Sequence, residues 1–224
     1  MSVSTTKIIP IRAGVGTCYL AIQNNSFFLV DTSVEGHTKK IIKAIQSRGL
    51  NPSELKFIFL THTHYDHAGN VSELAKITGA KVIVHSSETN YLSSGYHPIP
   101  KGTNTFFKFL VFLGRLNEKK RTKFKPVVAD ITFDESFDLS EFKINARLLH
   151  TPGHTKGSSC LIIDKYVFAG DAVFNIMGKI FPPFANDPTL LLQSWKSLIS
   201  IGAEYYYPAH GKRLSFNTLS NAIK

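Results

Sequence analysis

The sequence predicts an α/β protein in which two packed β-sheets are covered by helices on their outer faces. Three observations lead there. Apolar, β-branched runs of strand length alternate with helix-period segments in both halves of the chain. Polar loops leave the ends of those runs, so strands and helices must share a layered core. The 224 residues, 43% of them hydrophobic, suit one globular domain over 1–224 with a sizeable buried core.

Taken in order, Ile8 to Arg12, Cys18 to Gln23 and Phe27 to Asp31 read as strands separated by Gly and Asn-Asn. A helix follows over Thr38 to Arg48, with Ile41, Ile42 and Ile45 on one face and Gly49 as its stop. Lys56 to Leu60 is a short buried strand that ends at Thr61. Val71 to Thr78 reads as a helix closed by Gly79, and Lys81 to His85 as the next strand. In the second half Phe142, Ile144, Ala146 and Leu148 alternate, and Ser158 to Ile163 and Tyr166 to Ala169 are strands. Pro188 to Ile201 is a helix with Asp187 as N-cap, Glu204 to Tyr207 a last strand and Ser215 to Ile223 a last helix. Residues 93–128 interrupt this pattern with Pro98, Pro100, an apolar run from Phe106 to Leu113 and a basic stretch, and read as an insertion.

Composition removes several function classes. No window approaches the roughly 18 apolar residues a membrane span needs, and Met1 to Pro10 lacks the apolar core of a secretory signal, so the expected location is the cytoplasm. Cys18 and Cys160 have no metal-binding spacing and read as two buried thiols. The net charge of +10 is local: Arg115 to Lys125 holds six cations against Glu118. That concentration argues against a nucleic-acid partner for the body of the protein.

The chemistry sits in Thr61 to Asn70, THTHYDHAGN, where His62, His64, Asp66 and His67 fall within six positions after a strand. Neutral imidazoles and carboxylates this close suit a borderline divalent ion, and a loop held by a strand and a helix can aim them at two adjacent ions. A lone histidine there would read as surface decoration. His154 in TPGHTKG, Asp171 in FAGDAVF and His210 in YPAHG supply matching groups, each beside a glycine that lets backbone come close. There is no G-x-S-x-G and no G-x-x-x-x-G-K-[ST] to compete.

In these motifs the chain resembles the metallo-β-lactamase superfamily, whose pattern is H-x-H-x-D-H, then His, a bridging Asp and a final His. All seven positions match. The resemblance implies a four-layer αββα sandwich, with His62, His64 and His154 on one metal, Asp66, His67 and His210 on the other, and Asp171 and a hydroxide between them. It implies a dinuclear hydrolase, most simply with zinc and with manganese or iron as alternatives, acting on an ester, thioester, lactone or related bond of a small molecule. Asp66 would orient the hydroxide and take up its proton. Asp31, at the end of a strand, fits the family's early Asp and is expected to orient a ligand or a loop, or simply to form a turn.

Substrate is less legible. The quorum-quenching lactonases place a Tyr where this chain has Phe174, which becomes a candidate substrate contact. Phe106 to Lys125 is expected to form a helical lid in which Phe109 and Phe112 touch an apolar substrate group; a homodimer contact and a peripheral membrane contact through 106–125 are the alternatives. A mononuclear-iron, persulfide-dioxygenase-like oxidoreductase and a non-catalytic membrane binder are the other functional readings. His37, His85, His97 and His150 lie outside the motifs and are taken as non-ligands.

Overall fold

The first part of the chain builds one six-stranded sheet and the remainder builds the other. The computed structural model describes residues 6–115, 118–176, 178 and 180–223. In the first sheet, β1 (Lys7–Arg12), β2 (Thr17–Gln23) and β3 (Ser26–Val30) form an antiparallel meander. Then β4 (Phe57–Phe59), β5 (Lys81–His85) and β6 (Ile131–Phe133) add in parallel. Parallel neighbours need crossovers. These are α1 (Thr38–Gln46), then α2 (Tyr65–Ala68) and α3 (Val71–Thr78), then α4 (Thr89–Ser94), α5 (Thr105–Gly114) and α6 (Glu118–Arg121).

The second sheet runs antiparallel through β7 (Ser136–Asp138), β8 (Ala146–His150), β9 (Ser159–Ile163) and β10 (Tyr166–Gly170). After α7 (Pro188–Ser200), β11 (Tyr205–Pro208) pairs in parallel with β10, and β12 (Leu214–Ser215) and α8 (Phe216–Asn221) complete the layer. Asp187 caps α7 as the sequence suggests, its carboxylate accepting the Leu190 N–H at 2.9 Å with Pro188 in the first turn.

Three apolar clusters hold four layers together. Ile41, Ile45, Val71 and Leu74 press α1 and α3 onto the outer face of the first sheet. Phe28, Phe57, Phe59, Leu148, Leu161 and Phe168 fill the space between the sheets. Leu191, Trp195, Leu198 and Leu219 fix α7 and α8 to the second sheet. The architecture is an αββα sandwich with an inserted helical segment. Burial pushes the thiols of Cys18 and Cys160 up to about 12, which makes them inert core residues.

One expectation needs correction, and two short strands carried no sequence signal. The alternating run from Phe142 is not a strand at its start: Ser140–Phe142 is a 3-10 turn, Lys143 has φ 60°, and the strand begins at Ala146. Phe142 is apolar because its ring packs on Phe57, centroids 4.9 Å apart, and not because it alternates in a sheet. The strands β6 and β7 went unread because each is three residues long and mixed in polarity. Residues 116, 117, 177 and 179, within the insertion and the stretch after Asp171, lie outside the described residues. No described helix is long and apolar enough to cross a membrane.

Candidate metal centre

The ends of strands from both sheets meet at one edge of the sandwich. The chain leaves β3 at Asp31 and β4 at Thr61, while the loops after β8, β10 and β11 carry His154, Asp171 and His210. Placing the site where strands end leaves the backbone free to turn and the scaffold rigid behind it. Asp31 holds a left-handed φ of 59°, which short polar side chains tolerate. Gly170 also has positive φ, 50°, and a Cβ there would lie 2.4 Å from the Thr61 hydroxyl. A side chain at 170 would therefore displace the residue that precedes the first ligand.

The loop after β4 is not irregular throughout. His64 is extended, and Tyr65–Ala68 then make one helical turn, so the side chains at 64, 66 and 67 leave in different directions. Ligand atoms come together in three sets, each within 4.8 Å: His62, His64 and His154; His62, His67 and Asp171; and Asp66, His67 and His210. Asp171 lies between the sets. Its Oδ2 is 3.4 Å from His154 Nε2, and its Oδ1 is 3.3 Å from His67 Nε2 and 3.4 Å from His210 Nε2.

Four of the imidazoles are fixed through one ring nitrogen. His67 Nδ1 lies 2.9 Å from Asp31 Oδ2, and the same carboxylate accepts the Thr61 N–H at 2.8 Å. His64 Nε2 meets the Pro98 carbonyl at 3.1 Å, His154 Nδ1 meets the Phe184 carbonyl at 2.9 Å, and His62 Nδ1 faces the Thr61 hydroxyl at 3.2 Å. These contacts set ring orientation and tautomer.

They also test whether a cation fits. With the carbonyls taking one N–H from each ring, the remaining nitrogens, His64 Nδ1 and His154 Nε2, present bare lone pairs to each other 3.1 Å apart. Two lone pairs at that distance repel unless a proton or metal lies between them, and two nitrogens on a tetrahedral zinc are about 3.3 Å apart. His62 Nε2 is buried without a hydrogen-bond partner. His67 Nε2 and Asp171 Oδ1 form no hydrogen bond and have only charge partners, each other at 3.3 Å and, for Asp171, His210 Nε2 at 3.4 Å; such burial is costly unless an ion takes these atoms up. The donor set fits two divalent ions.

Charge tells the same story. Burial, reinforced by neighbouring imidazoles, drives His62 and His64 well below the ordinary histidine value, and burial also lowers His154. Burial thus favours the neutral form of these three rings, the form that offers a lone pair to a cation. Burial would lower His67 too, but Asp171 and Asp31 outweigh it and raise that ring well above its usual value. His210 is raised against burial by Asp171 and Asp66. Asp171 and Asp66 are both lowered: burial opposes their charge, and His210 and His67 overcome it. One half of the site is a set of bare lone pairs, and the other half is rich in carboxylate and calls for positive charge.

A buried carboxylate that sequence reasoning missed ties the ligand loops together. Glu88 is fully buried. Its Oε2 accepts the N–H and hydroxyl of Thr63, at 3.0 and 2.6 Å, and lies 3.1 Å from His97 Nδ1. Its Oε1 accepts the Thr155 hydroxyl at 2.7 Å and the Gly157 N–H at 3.1 Å. Thr63 sits between His62 and His64, and Thr155 follows His154, so one side chain spans both halves of the first ligand set. Burial works against this charge, but His97 and the two hydroxyls hold the carboxyl down at about 2. His97 stacks on Tyr91 with centroids 3.8 Å apart and flanks His64 at 4.5 Å, so it lies beside the site while belonging to none of the three ligand sets.

Residues 11–210 match the metallo-beta-lactamase superfamily. The chain belongs to that superfamily. The metallo-beta-lactamase fold-containing protein ST1585 of Sulfurisphaera tokodaii is 31% identical over 178 residues, which cover 76% of this chain and 66% of that one. The chain thus spans just under two thirds of that relative's length. The probable metallo-hydrolase YqgX of Bacillus subtilis is 28% identical over 195 residues, covering 86% of this chain and 81% of that protein. The crystal structure of TTHA1623 in a di-iron-bound form superposes with a TM-score of 0.71 at 24% identity, over 96% of this chain and 98% of the other.

Above the ligands, this member of the superfamily has a cavity of about 430 Å³ that reaches His64, Asp66, His154, Asp171 and His210. Its walls are apolar: Val15, Tyr65, Ile99, Pro100, Leu110, Val111, Phe174, Ile176, Pro183 and Phe184. Phe174, the position read as a substrate contact, is one of them and stacks on His210 with centroids 5.4 Å apart. Phe109 and Phe112 are not. They are 57% and 67% exposed and do not line the cavity, because the face of α5 that meets it carries Leu110, Val111 and Gly114. The insertion meets the cavity through Ile99, Pro100, Leu110, Val111 and Gly114.

Proposed function

We propose that the protein is a dinuclear metal-dependent hydrolase that cleaves an ester, thioester, lactone or related bond in a small apolar substrate. The observation that carries this reading is the convergence of seven ligand side chains, their free donor atoms turned together, at the foot of an apolar cavity. His62, His64 and His154 would hold one ion, Asp66, His67 and His210 the other, and Asp171 both. Ligands placed on both sheets support reading the catalytic unit as one domain.

When bound, the two ions would supply Lewis acidity, acidifying a water to a pKa of about 7 and polarising the scissile bond. The chain's own residues do the rest. Asp66 Oδ2, 3.3 Å from His210 Nε2, stands at the cavity floor, where it orients the attacking water and receives its proton. Asp31 holds His67, and Glu88 holds the loops of His62, His64 and His154, so that positioning is built in before substrate arrives. Ile99, Leu110, Val111 and Phe174 exclude water and bind the apolar group.

The imidazole and carboxylate donors suit zinc best. TTHA1623 holds two irons, which makes iron the metal to test beside it. The decisive experiment is reconstitution with each metal, elemental analysis, and a panel of aryl esters, thioesters, lactones and phosphodiesters. Two ions per chain and turnover of at least one class are expected. One iron with oxygen uptake, or full metallation with no hydrolysis of any class, would overturn the reading.

A further inference from the structure

Helix α5 has two apolar faces, and only one is used. Val111 is buried and, with Gly114, turns toward the cavity. On the other side Phe106, Phe109, Phe112 and Leu113 are 63%, 57%, 67% and 43% exposed, and nothing among the described residues covers them. Four large apolar side chains on one exposed helix face make a patch that a soluble surface ordinarily avoids.

The surroundings of the patch are basic. Residues 101–129 carry eight of the chain's 26 Lys and Arg and one of its 16 Asp and Glu. Lys101, Lys108 and Arg115 share a groove with Phe112, and exposed Lys119, Lys120 and Arg121 follow on α6. The one carboxylate, Glu118, is turned inward, where it accepts the Ile99 N–H. Lys125 pairs with Glu35 at 3.8 Å, so the patch presents its apolar side chains beside the remaining cations, among them Lys108, Arg115, Lys119, Lys120 and Arg121.

We propose that the outer face of α5 and its basic flank dock onto an anionic lipid surface. A ten-residue helix is about 15 Å long and cannot cross a hydrocarbon core of about 30 Å, so it would lie in the plane of the interface. Its phenylalanines enter the acyl boundary, and the cations meet the headgroups. A second copy of this chain is the less suitable occupant, since a two-fold contact through α5 would set each basic flank against its like. Docking this way sets on the bilayer the helix whose other face walls the cavity. The proposal stands on the surface alone and does not depend on the metal chemistry.

The test is sedimentation of the full-length, metal-loaded protein with phosphatidylcholine vesicles, with and without about one third phosphatidylglycerol, alongside light scattering to fix its oligomeric state. Binding is expected to the anionic vesicles and to fall as salt rises. Phe109→Ser with Phe112→Ser should reduce partitioning at least tenfold, with far-UV circular dichroism and metal content unchanged because both side chains are exposed. Lys119→Ala and Lys120→Ala should each reduce it about fivefold on anionic vesicles and leave neutral ones unaffected. Equal binding to both vesicle types, no binding to either, or a dimer that the double Phe variant makes monomeric would each overturn the proposal.

Discussion

Replacing Glu88 should destabilise the fold and loosen the metal centre together, because its carboxylate joins the loops that carry His62, His64 and His154. In Glu88→Ala, the buried N–H groups of Thr63 and Gly157 lose their acceptor, and each such loss costs about 1–3 kcal/mol. The Thr155 hydroxyl can turn to Ser158, 2.8 Å away, so it adds little. The total is about 4 kcal/mol, on the order of 10 °C in melting temperature for a chain of this size. Glu88→Gln is the sharper probe. The two N–H donors approach different oxygens, and an amide keeps only one oxygen, so its NH2 must oppose one of them at about 1–3 kcal/mol. The carboxyl is held at about 2 against an ordinary 4.5, so its contribution is complete above about pH 4.5 and disappears as pH falls toward 2. That shift corresponds to about 3 kcal/mol. Thermal melts of the parent and both variants from about pH 3 to 7, with zinc affinity measured at neutral pH, check this. Variants within about 1 kcal/mol of the parent, with equal acid sensitivity and equal zinc affinity, would refute the reasoning.

Other changes should separate the parts of the site. Asp171→Ala, which removes the carboxylate shared by His67, His154 and His210, should strip both ions, whereas His210→Ala should weaken mainly one, as read by elemental analysis. Asp31→Asn should lower affinity for the ion on His67 by about 10–100-fold in a competition titration, because the ring loses the charge that orients it. Ile99→Ala in the cavity wall should raise KM for apolar substrates roughly tenfold with kcat little changed, the size expected from the apolar area it contributes.

Much of this site was legible because its ligands follow strands. THTHYDHAGN sits at the end of a buried apolar run, so its backbone position is dictated by the sheet, and the later His, Asp and His each follow a strand as well. Glu88 carried no such signal. In SSET it reads as a surface residue opening a helix, and its burial is decided by Thr63, Thr155 and Gly157 from loops distant in sequence. The orientation of α5 was hidden for another reason. From Phe109 to Leu113 every residue is apolar, so no polar stripe fixes which side faces the protein, and Phe109 and Phe112 could not be told from Leu110 and Val111. The face is chosen by packing against the body, where Phe107 meets Phe181 and Phe184, the latter a wall of the cavity.

The opposed charge demands of the two ligand sets make a last prediction about the metal-free protein. His62, His64 and His154 are lowered by burial, so below about pH 6.5 the unfolded chain binds protons that the folded one refuses, and stability falls as pH falls. His67 and His210 are raised by Asp171 with Asp31 and Asp66 in spite of burial. Their contribution is complete below about pH 6.5 and is lost as pH rises through their folded values. Chelator-stripped protein should therefore be most stable near pH 6.5 and weaken on both sides. Two bound ions would replace the protons on His67 and His210 and satisfy the facing lone pairs of His64 and His154, so the reconstituted protein should melt higher and lose the alkaline decline. Differential scanning calorimetry of both forms from about pH 5 to 9, in non-coordinating buffers, measures the two curves. A stripped protein whose stability keeps rising to pH 9, or a metal effect of the same size at every pH, would show that the carboxylates around His67 and His210 do not carry the charge demand assigned to them.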